Sequence, residues 1–121
     1  MTKFRFQDLE IWQLGCDVGS KLCGIADELE GMRHYLFADQ LRRAALSISN
    51  NIAEGSGSAS ARDFQHFLNI ARRSVYENAS MLLFFQREGH VHATRAQPLL
   101  DDLESLSRKI HSFRRSLTPD S

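Results

Sequence analysis

Proline is nearly missing from this chain. Pro98 and Pro119 are the only two in 121 residues, so little interrupts backbone hydrogen bonding, which favours helix and excludes a proline-spaced architecture. Cysteine is equally scarce. Cys16 and Cys23 stand seven residues apart, which on one helix separates them by about 10 Å at ~1.5 Å per residue. A disulfide needs Cα atoms within roughly 7 Å, so the pair reads as two reduced, half-buried thiols packing as small hydrophobes. Long apolar runs are lacking too. The longest, Met81-Leu82-Leu83-Phe84-Phe85, falls far short of the ~20 residues of a spanning helix. The opening Met1-Thr2-Lys3-Phe4-Arg5-Phe6-Gln7 has no apolar core of signal-peptide length. Together these absences predict a cytoplasmic chain with no membrane partner. Net charge is missing as well, fifteen basic residues cancelling fifteen acidic ones. Proteins that bind nucleic acid by neutralising phosphates usually carry a basic excess. The balance weighs against a strong binder of that kind and leaves local patches open.

What is present is helical patterning. The hydrophobic fraction of 42% and charged fraction of 25% suit a soluble globular protein. The length fits a single domain, residues 1–121, with an expected folded surface of ~6,600 Å². The apolar spacing predicts an all-α fold with helices over about 7–30, 36–54, 61–87 and 95–117. In helix 1, Leu9, Trp12, Cys16, Gly19, Cys23 and Ala26 step by three and four, and Ile11, Val18, Leu22, Ile25 and Leu29 form a second stripe about 100° away. The first stripe narrows to small residues that would admit a neighbouring backbone, and Gly31 is available beyond the last turn.

Helix 2 presents Phe37, Leu41, Ala44, Ala45, Ile48 and Ile52 as its apolar face and is expected to end at Gly55. Beside that face run Gln40, Arg43, Ser47, Asn50, Asn51 and Glu54. Ser and Asn compete for backbone groups inside helices, so such a stripe is favoured where its side chains have partners. The expectation is a semi-buried hydrogen-bonded seam, with a solvated face as the alternative.

Helix 3 is introduced by Gly55-Ser56-Gly57-Ser58-Ala59-Ser60 and a Ser60-x-x-Asp63 cap, and closed by Gly89. Phe64, Leu68, Ala71, Val75, Ala79 and Leu82 form one stripe, which Phe67, Ile70, Ser74, Met81 and Phe85 widen to about half the circumference, against ~100° for a one-sided surface helix. Helix 4 carries a Thr94-x-x-Gln97 capping signal and one narrow stripe, Leu99, Leu103, Leu106, Ile110, Phe113 and Leu117. The breadth of helices 1 and 3 predicts self-association, with Leu9, Trp12, Cys16, Gly19, Cys23, Phe67, Ile70, Met81 and Phe85 as candidate interface residues.

No catalytic constellation emerges, and the expectation is no enzyme, no cofactor, no metal and no small-molecule substrate. His90 and His92 lie in a loop without the Cys or carboxylates that would complete a zinc site. The glycines near Ser56 lack the Gly-Lys-Ser/Thr ending and preceding strand of a phosphate loop. Basic doublets are the remaining feature: Arg42-Arg43, Arg72-Arg73, Arg108-Lys109 and Arg114-Arg115. Adjacent helical residues diverge by about 100°, so each doublet serves two faces. They are candidate nucleic-acid contacts, with solvated, ion-paired faces as the alternative.

The segment Gln40-Leu41-Arg42-Arg43-Ala44-Ala45-Leu46-Ser47-Ile48-Ser49-Asn50-Asn51-Ile52-Ala53-Glu54-Gly55 resembles the signature of the four-helix-bundle proteins encoded by intervening sequences of bacterial 23S rRNA genes. Phe6-Gln7-Asp8-Leu9-Glu10-Ile11-Trp12-Gln13 and Phe64-x-x-Phe67-Leu68-x-Ile70-Ala71-x-x-Ser74-x-x-Glu77 follow the same pattern in the same order. Arg73 departs from it where glycine is usual, Ala79 where a second acidic residue is common, and the Gly31–Tyr35 connection is shorter and lacks a proline. The resemblance implies an antiparallel up-down four-helix bundle assembling into a homo-oligomer, with pentameric relatives. It also implies kinship with the accessory proteins of diversity-generating retroelements, hence RNA or a nucleic-acid-bound protein as a partner. A protein-interaction scaffold without nucleic acid is the alternative.

Overall fold

The computed structural model describes residues 3–118, and those residues are all-α. A 3₁₀ turn at Arg5–Asp8 precedes four helices: α1 (Glu10–Gly31), α2 (Tyr35–Ser56), α3 (Ala61–Arg87) and α4 (Ala93–Ser116). Met1, Thr2 and the residues from Pro119 onward, included in the single domain predicted above, lie outside the described residues. Helices α1 and α3 each pack along both α2 and α4, while α1 stands diagonally across from α3, and α2 from α4, with their backbones apart. Each helix therefore has two neighbours, as at the corners of a square. Among the described residues no helix is long and apolar enough to cross a membrane.

The core forms where the three-and-four spacing of all four helices converges. Leu22, Ile25 and Leu29 of α1 meet Leu41, Ile48 and Ile52 of α2, Leu68, Val75 and Leu82 of α3, and Leu103, Leu106 and Ile110 of α4. Each such side chain contributes roughly 1.5–3 kcal/mol when fully buried, which is what holds helices of modest intrinsic propensity together.

Helix α3 starts at Ala61, where the Ser60 hydroxyl accepts from the Asp63 amide at 3.1 Å. Beyond its end Gly89 adopts φ 79°, and the His90 amide returns to the Phe85 carbonyl at 2.8 Å. The other boundaries differ from expectation. Helix α1 begins at Glu10 and not near Gln7, because Leu9 is extended at φ −81°, ψ 123° and separates the 3₁₀ turn from the helix. Gly31 is the last helical residue, and the left-handed position falls on Arg33 at φ 67°, a conformation costing a non-glycine residue about 1 kcal/mol.

Gly55 does not terminate α2, which continues to Ser56. It is the contact point with α3: a Cβ there would lie 2.7 Å from Phe67 Cβ. Helix α4 begins at Ala93 and not after Thr94. His92 is its cap, Nδ1 accepting from the Thr94 amide at 3.1 Å, while Gln97 donates to Asp101 at 2.9 Å instead of closing a capping box.

The two stripes of α1 also find neighbours within the protomer. Ile11, Val18, Leu22, Ile25 and Leu29 enter the core. The small-residue stripe lies along α2: a Cβ on Gly15 would sit 3.5 Å from Ile48, and one on Gly19 3.8 Å from the Ala45 carbonyl. The close-approaching backbone anticipated for that stripe is α2 of the same chain.

Candidate functional site

The polar stripe of α2 divides in two. Ser47 and Asn51 are half-buried, whereas Gln40, Arg43, Asn50 and Glu54 are exposed. Asn51 Nδ2 donates to the Ser47 carbonyl at 2.7 Å and to Ser47 Oγ at 3.0 Å. The Ser47 and Ser74 hydroxyls share a hydrogen bond of 2.8 Å across the α2–α3 contact. Asn78, at 0% exposure, donates from Nδ2 to the Ala44 carbonyl at 2.9 Å and the Ser74 carbonyl at 2.8 Å.

The hydrogen-bonded seam thus runs Asn51, Ser47, Ser74, Asn78, with its second half on α3. Ser74, which the spacing alone assigns to a widened apolar stripe, is a member of the seam, and Asn78 joins it. The readable signal was their spacing, four residues apart and four before Leu82, which places two polar side chains on the core side of α3. Asn78 Oδ1 is buried with no partner. Chemically the seam fastens α2 to α3. Its hydroxyls and amide nitrogens bond one another and the backbone.

The basic doublets separate by partner. Arg42 sits 2.6 Å from Asp27 and 3.1 Å from Glu30, and those hydrogen bonds, Asp27 first, hold its guanidinium charged above its ordinary range. Lys109 meets Glu10 at 2.7 Å and Arg108 meets Glu104 at 3.7 Å. Arg114 Nε donates to the Gln65 carbonyl at 3.1 Å, and Gln65 Nε2 returns to the Arg114 and Leu117 carbonyls at 3.2 and 2.9 Å. Among the described residues Arg43, Arg72, Arg73 and Arg115 have no carboxylate within 4.0 Å.

Arg72 lies over the Tyr76 ring, 5.4 Å from its centroid, and its Nε is buried without a partner. With Asn69 and Arg73 these two residues line a concavity of about 380 Å³ on α3. A larger cleft of about 600 Å³ lies where α1 begins and α4 ends, but there Lys109 is already paired with Glu10.

The balanced charge also conceals an asymmetry. Helix α1 carries Glu10, Asp17, Asp27, Glu28 and Glu30 against Lys21 alone, while α3 carries Arg62, Arg72, Arg73 and Arg87 against Asp63 and Glu77.

Of the candidate interface residues Phe85 is buried within the protomer, and the other eight are half-buried. Phe85 belongs to the core, and Leu9, Trp12, Cys23 and Met81 pack against it. Phe67 packs on Gly55, and Ile70 is half-buried. Cys16, Gly19 and Cys23 line a shallow groove of about 260 Å³ beside Ala45, Leu46 and Ser49. Burial there, only partly offset by a hydrogen bond with Ser49, raises the Cys16 thiol above its ordinary value, and Asp17 adds to the rise. The thiol is therefore protonated near neutrality.

The apolar surface in excess stands elsewhere: Leu36 is 66% exposed, Leu46 57%, Leu83 53% and Phe84 47%. The signal for these was position off the stripe, since Leu46 follows Leu41 by five residues and so points about 140° away from it. Phe84 meets Phe37 edge-on at 6.0 Å, which places the start of α2 beside the end of α3. There His34 and His90 also lie 4.1 Å apart, ring to ring. Among the described residues no group of three or more His, Cys, Asp or Glu is arranged to hold a metal ion.

The sequence model of one family, described as 23S rRNA-intervening sequence protein, matches residues 7–112. Comparison with curated protein sequences finds no match. The fold is similar to the crystal structure of a protein with unknown function from the S23 ribosomal protein family of Bacteroides thetaiotaomicron. The TM-score is 0.83 at 19% identity, covering 88% of this chain and 99% of that one. At that identity the likeness bears on the fold alone.

Proposed function

We propose a function from one premise: this chain belongs to the 23S rRNA-intervening sequence protein family. It acts in the cytoplasm as a non-catalytic, antiparallel up-down four-helix bundle that assembles with copies of itself. Five copies is the number the family resemblance implies. The assembly serves as an accessory that binds RNA. The up-down order is supported by ion pairs that climb α1 as they descend α4: Glu10 with Lys109, Lys21 with Asp102, Glu28 with Arg95. Connections of three to five residues between successive helices support it too, since short links favour antiparallel neighbours.

The observation that carries self-assembly is the apolar surface of α2 and α3 at Leu36, Leu46, Leu83 and Phe84. Exposed apolar side chains that adjoin mark interaction surfaces, and Leu83 and Phe84 are consecutive at the end of α3, beside Phe37. Burying the exposed half of each is worth on the order of 1 kcal/mol. The absence of a catalytic role is supported by the seam, whose polar groups turn inward instead of converging on an open cleft. Substituting Leu83→Asp together with Phe84→Asp is expected to lower the assembled mass, read by light scattering, with helical content unchanged. An unaltered mass would remove those two side chains from the interface.

RNA binding is supported by the unpaired arginines of α3. It predicts retention of RNA in filter binding at low ionic strength with a shallow salt dependence. No retention even there favours the second reading, a protein-interaction scaffold, which the neutral net charge and exposed apolar side chains also suit.

A further inference from the structure

We propose that the outer face of α3 at Asn69, Arg72, Arg73 and Tyr76 binds a phosphate of single-stranded nucleic acid and stacks one of its bases on Tyr76. This site rests on the RNA reading above and gives it a location.

The four residues recur at three- and four-residue intervals, so they occupy neighbouring positions on consecutive turns. They line an open surface concavity of about 380 Å³. Arg72 is the key member. Its Nε is covered by neighbouring atoms and makes no hydrogen bond, so the guanidinium finds no acceptor within the fold and its terminal nitrogens are the ones left to meet a ligand. A phosphate oxygen is the acceptor that a planar guanidinium fork takes most readily.

Charge favours the same ligand. Arg42, Arg95, Arg108 and Lys109 each have a carboxylate within 4.0 Å, and neither Arg72 nor Arg73 does. The most acidic helix, α1, stands diagonally across the core from α3, its backbone apart from that of α3. The aromatic member distinguishes nucleic acid from an acidic peptide. Tyr76 is 60% exposed and is braced by the guanidinium 5.4 Å from its centroid. A base has a flat face to lay on such a ring, and a carboxylate has none. Stacking needs an unpaired base, which selects single strands over duplex.

The test is fluorescence anisotropy of a labelled oligouridylate with the full chain at low ionic strength. Arg72→Gln with Arg73→Gln should weaken binding about tenfold or more, and the charge-matched Arg43→Gln with Arg115→Gln less than about threefold. Tyr76→Leu should weaken it about fivefold, with Tyr76→Phe close to the native chain. Millimolar inorganic phosphate should compete, and oligoglutamate of equal charge should not. If the double Arg72 and Arg73 variant loses helical content, Arg73→Gln alone carries the test, with about threefold weakening expected.

Equal losses from both arginine pairs would overturn the site, as would displacement by oligoglutamate as readily as by phosphate. Native chain that binds the oligonucleotide while the Arg72 and Arg73 variants bind equally well removes this site and spares the RNA reading. Native chain that fails to bind removes both.

Discussion

Exchanging Gly55 for alanine should destabilise the protein, although alanine is favoured over glycine inside a helix by about 1 kcal/mol. Gly55 lies within α2, one residue before its end. A Cβ there would stand 2.7 Å from Phe67 Cβ and 2.9 Å from Phe64 Cδ1, whereas carbon atoms at optimal contact are ~3.5–4.0 Å apart. Phe67 Cβ is bonded directly to the α3 backbone, so no side-chain rotation relieves that approach. Phe64 is in the core and holds an edge contact with Phe113 at 5.6 Å, so moving it disturbs a second helix.

Overpacking costs about 1–3 kcal/mol, and an approach that no rotation relieves falls in the upper half, about 2–3 kcal/mol, so against the propensity gain of about 1 kcal/mol the net loss is roughly 1–2 kcal/mol. For a domain of this size that lowers the melting temperature by about 4–8 °C. Gly24 supplies the control. It lies inside α1 with nothing within 4 Å of a built Cβ, so Gly24→Ala should gain up to about 1 kcal/mol. Far-ultraviolet circular dichroism during thermal and urea unfolding, at one fixed protein concentration, reads both variants. A Gly55→Ala protein as stable as the native one would refute the close contact. A Gly24→Ala protein destabilised to the same degree would show that neither sign follows from the packing.

The seam and the cysteine give further predictions. Asn78→Ala removes two buried hydrogen bonds and leaves a void, for a loss of about 2–3 kcal/mol in urea unfolding. Asn78→Leu also eliminates the unpartnered Oδ1 and fills the space, so it should cost less than alanine. Asn51→Leu, at the half-buried end, should cost about 1 kcal/mol or less, and a larger loss there than at Asn78 would reverse the assigned order. Because burial, the largest cause, raises the Cys16 thiol, its alkylation should lag that of a free thiol and accelerate only at more alkaline pH, read by peptide mass spectrometry. The sign for stability follows. The folded state holds that proton more tightly, so the contribution is intact below the ordinary thiol range and is lost as pH climbs from there through the raised folded-state value.

Helix existence was legible because Leu99, Leu103, Leu106 and Ile110, like their counterparts in the other helices, keep a spacing that only an α-helix brings to one face. The Ser60 cap and Gly89 were legible because each answers a local backbone need. What escaped depended on the partner helix. Gly55 looked like a helix end, and only the position of Phe67 makes it a packing contact. Asn78 looked like an ordinary mid-helix polar residue until the Ala44 carbonyl came within reach.

The small stripe of α1 looked like surface available to another protomer, because nothing local tells Gly15 and Gly19 that Ile48 and Ala45 lie against them. The arginines of the doublets are alike in sequence. Their division follows from contacts as distant as Lys109 with Glu10, so Arg72 and Arg73 emerge as unpaired only once the chain is folded.

Sedimentation velocity of the native chain over a range of micromolar concentrations tests self-assembly most directly. A discrete species near five times 13.8 kDa, persisting on dilution, is the predicted result. A single 13.8 kDa component at every concentration, with Leu36, Leu46, Leu83 and Phe84 still facing water, would contradict it.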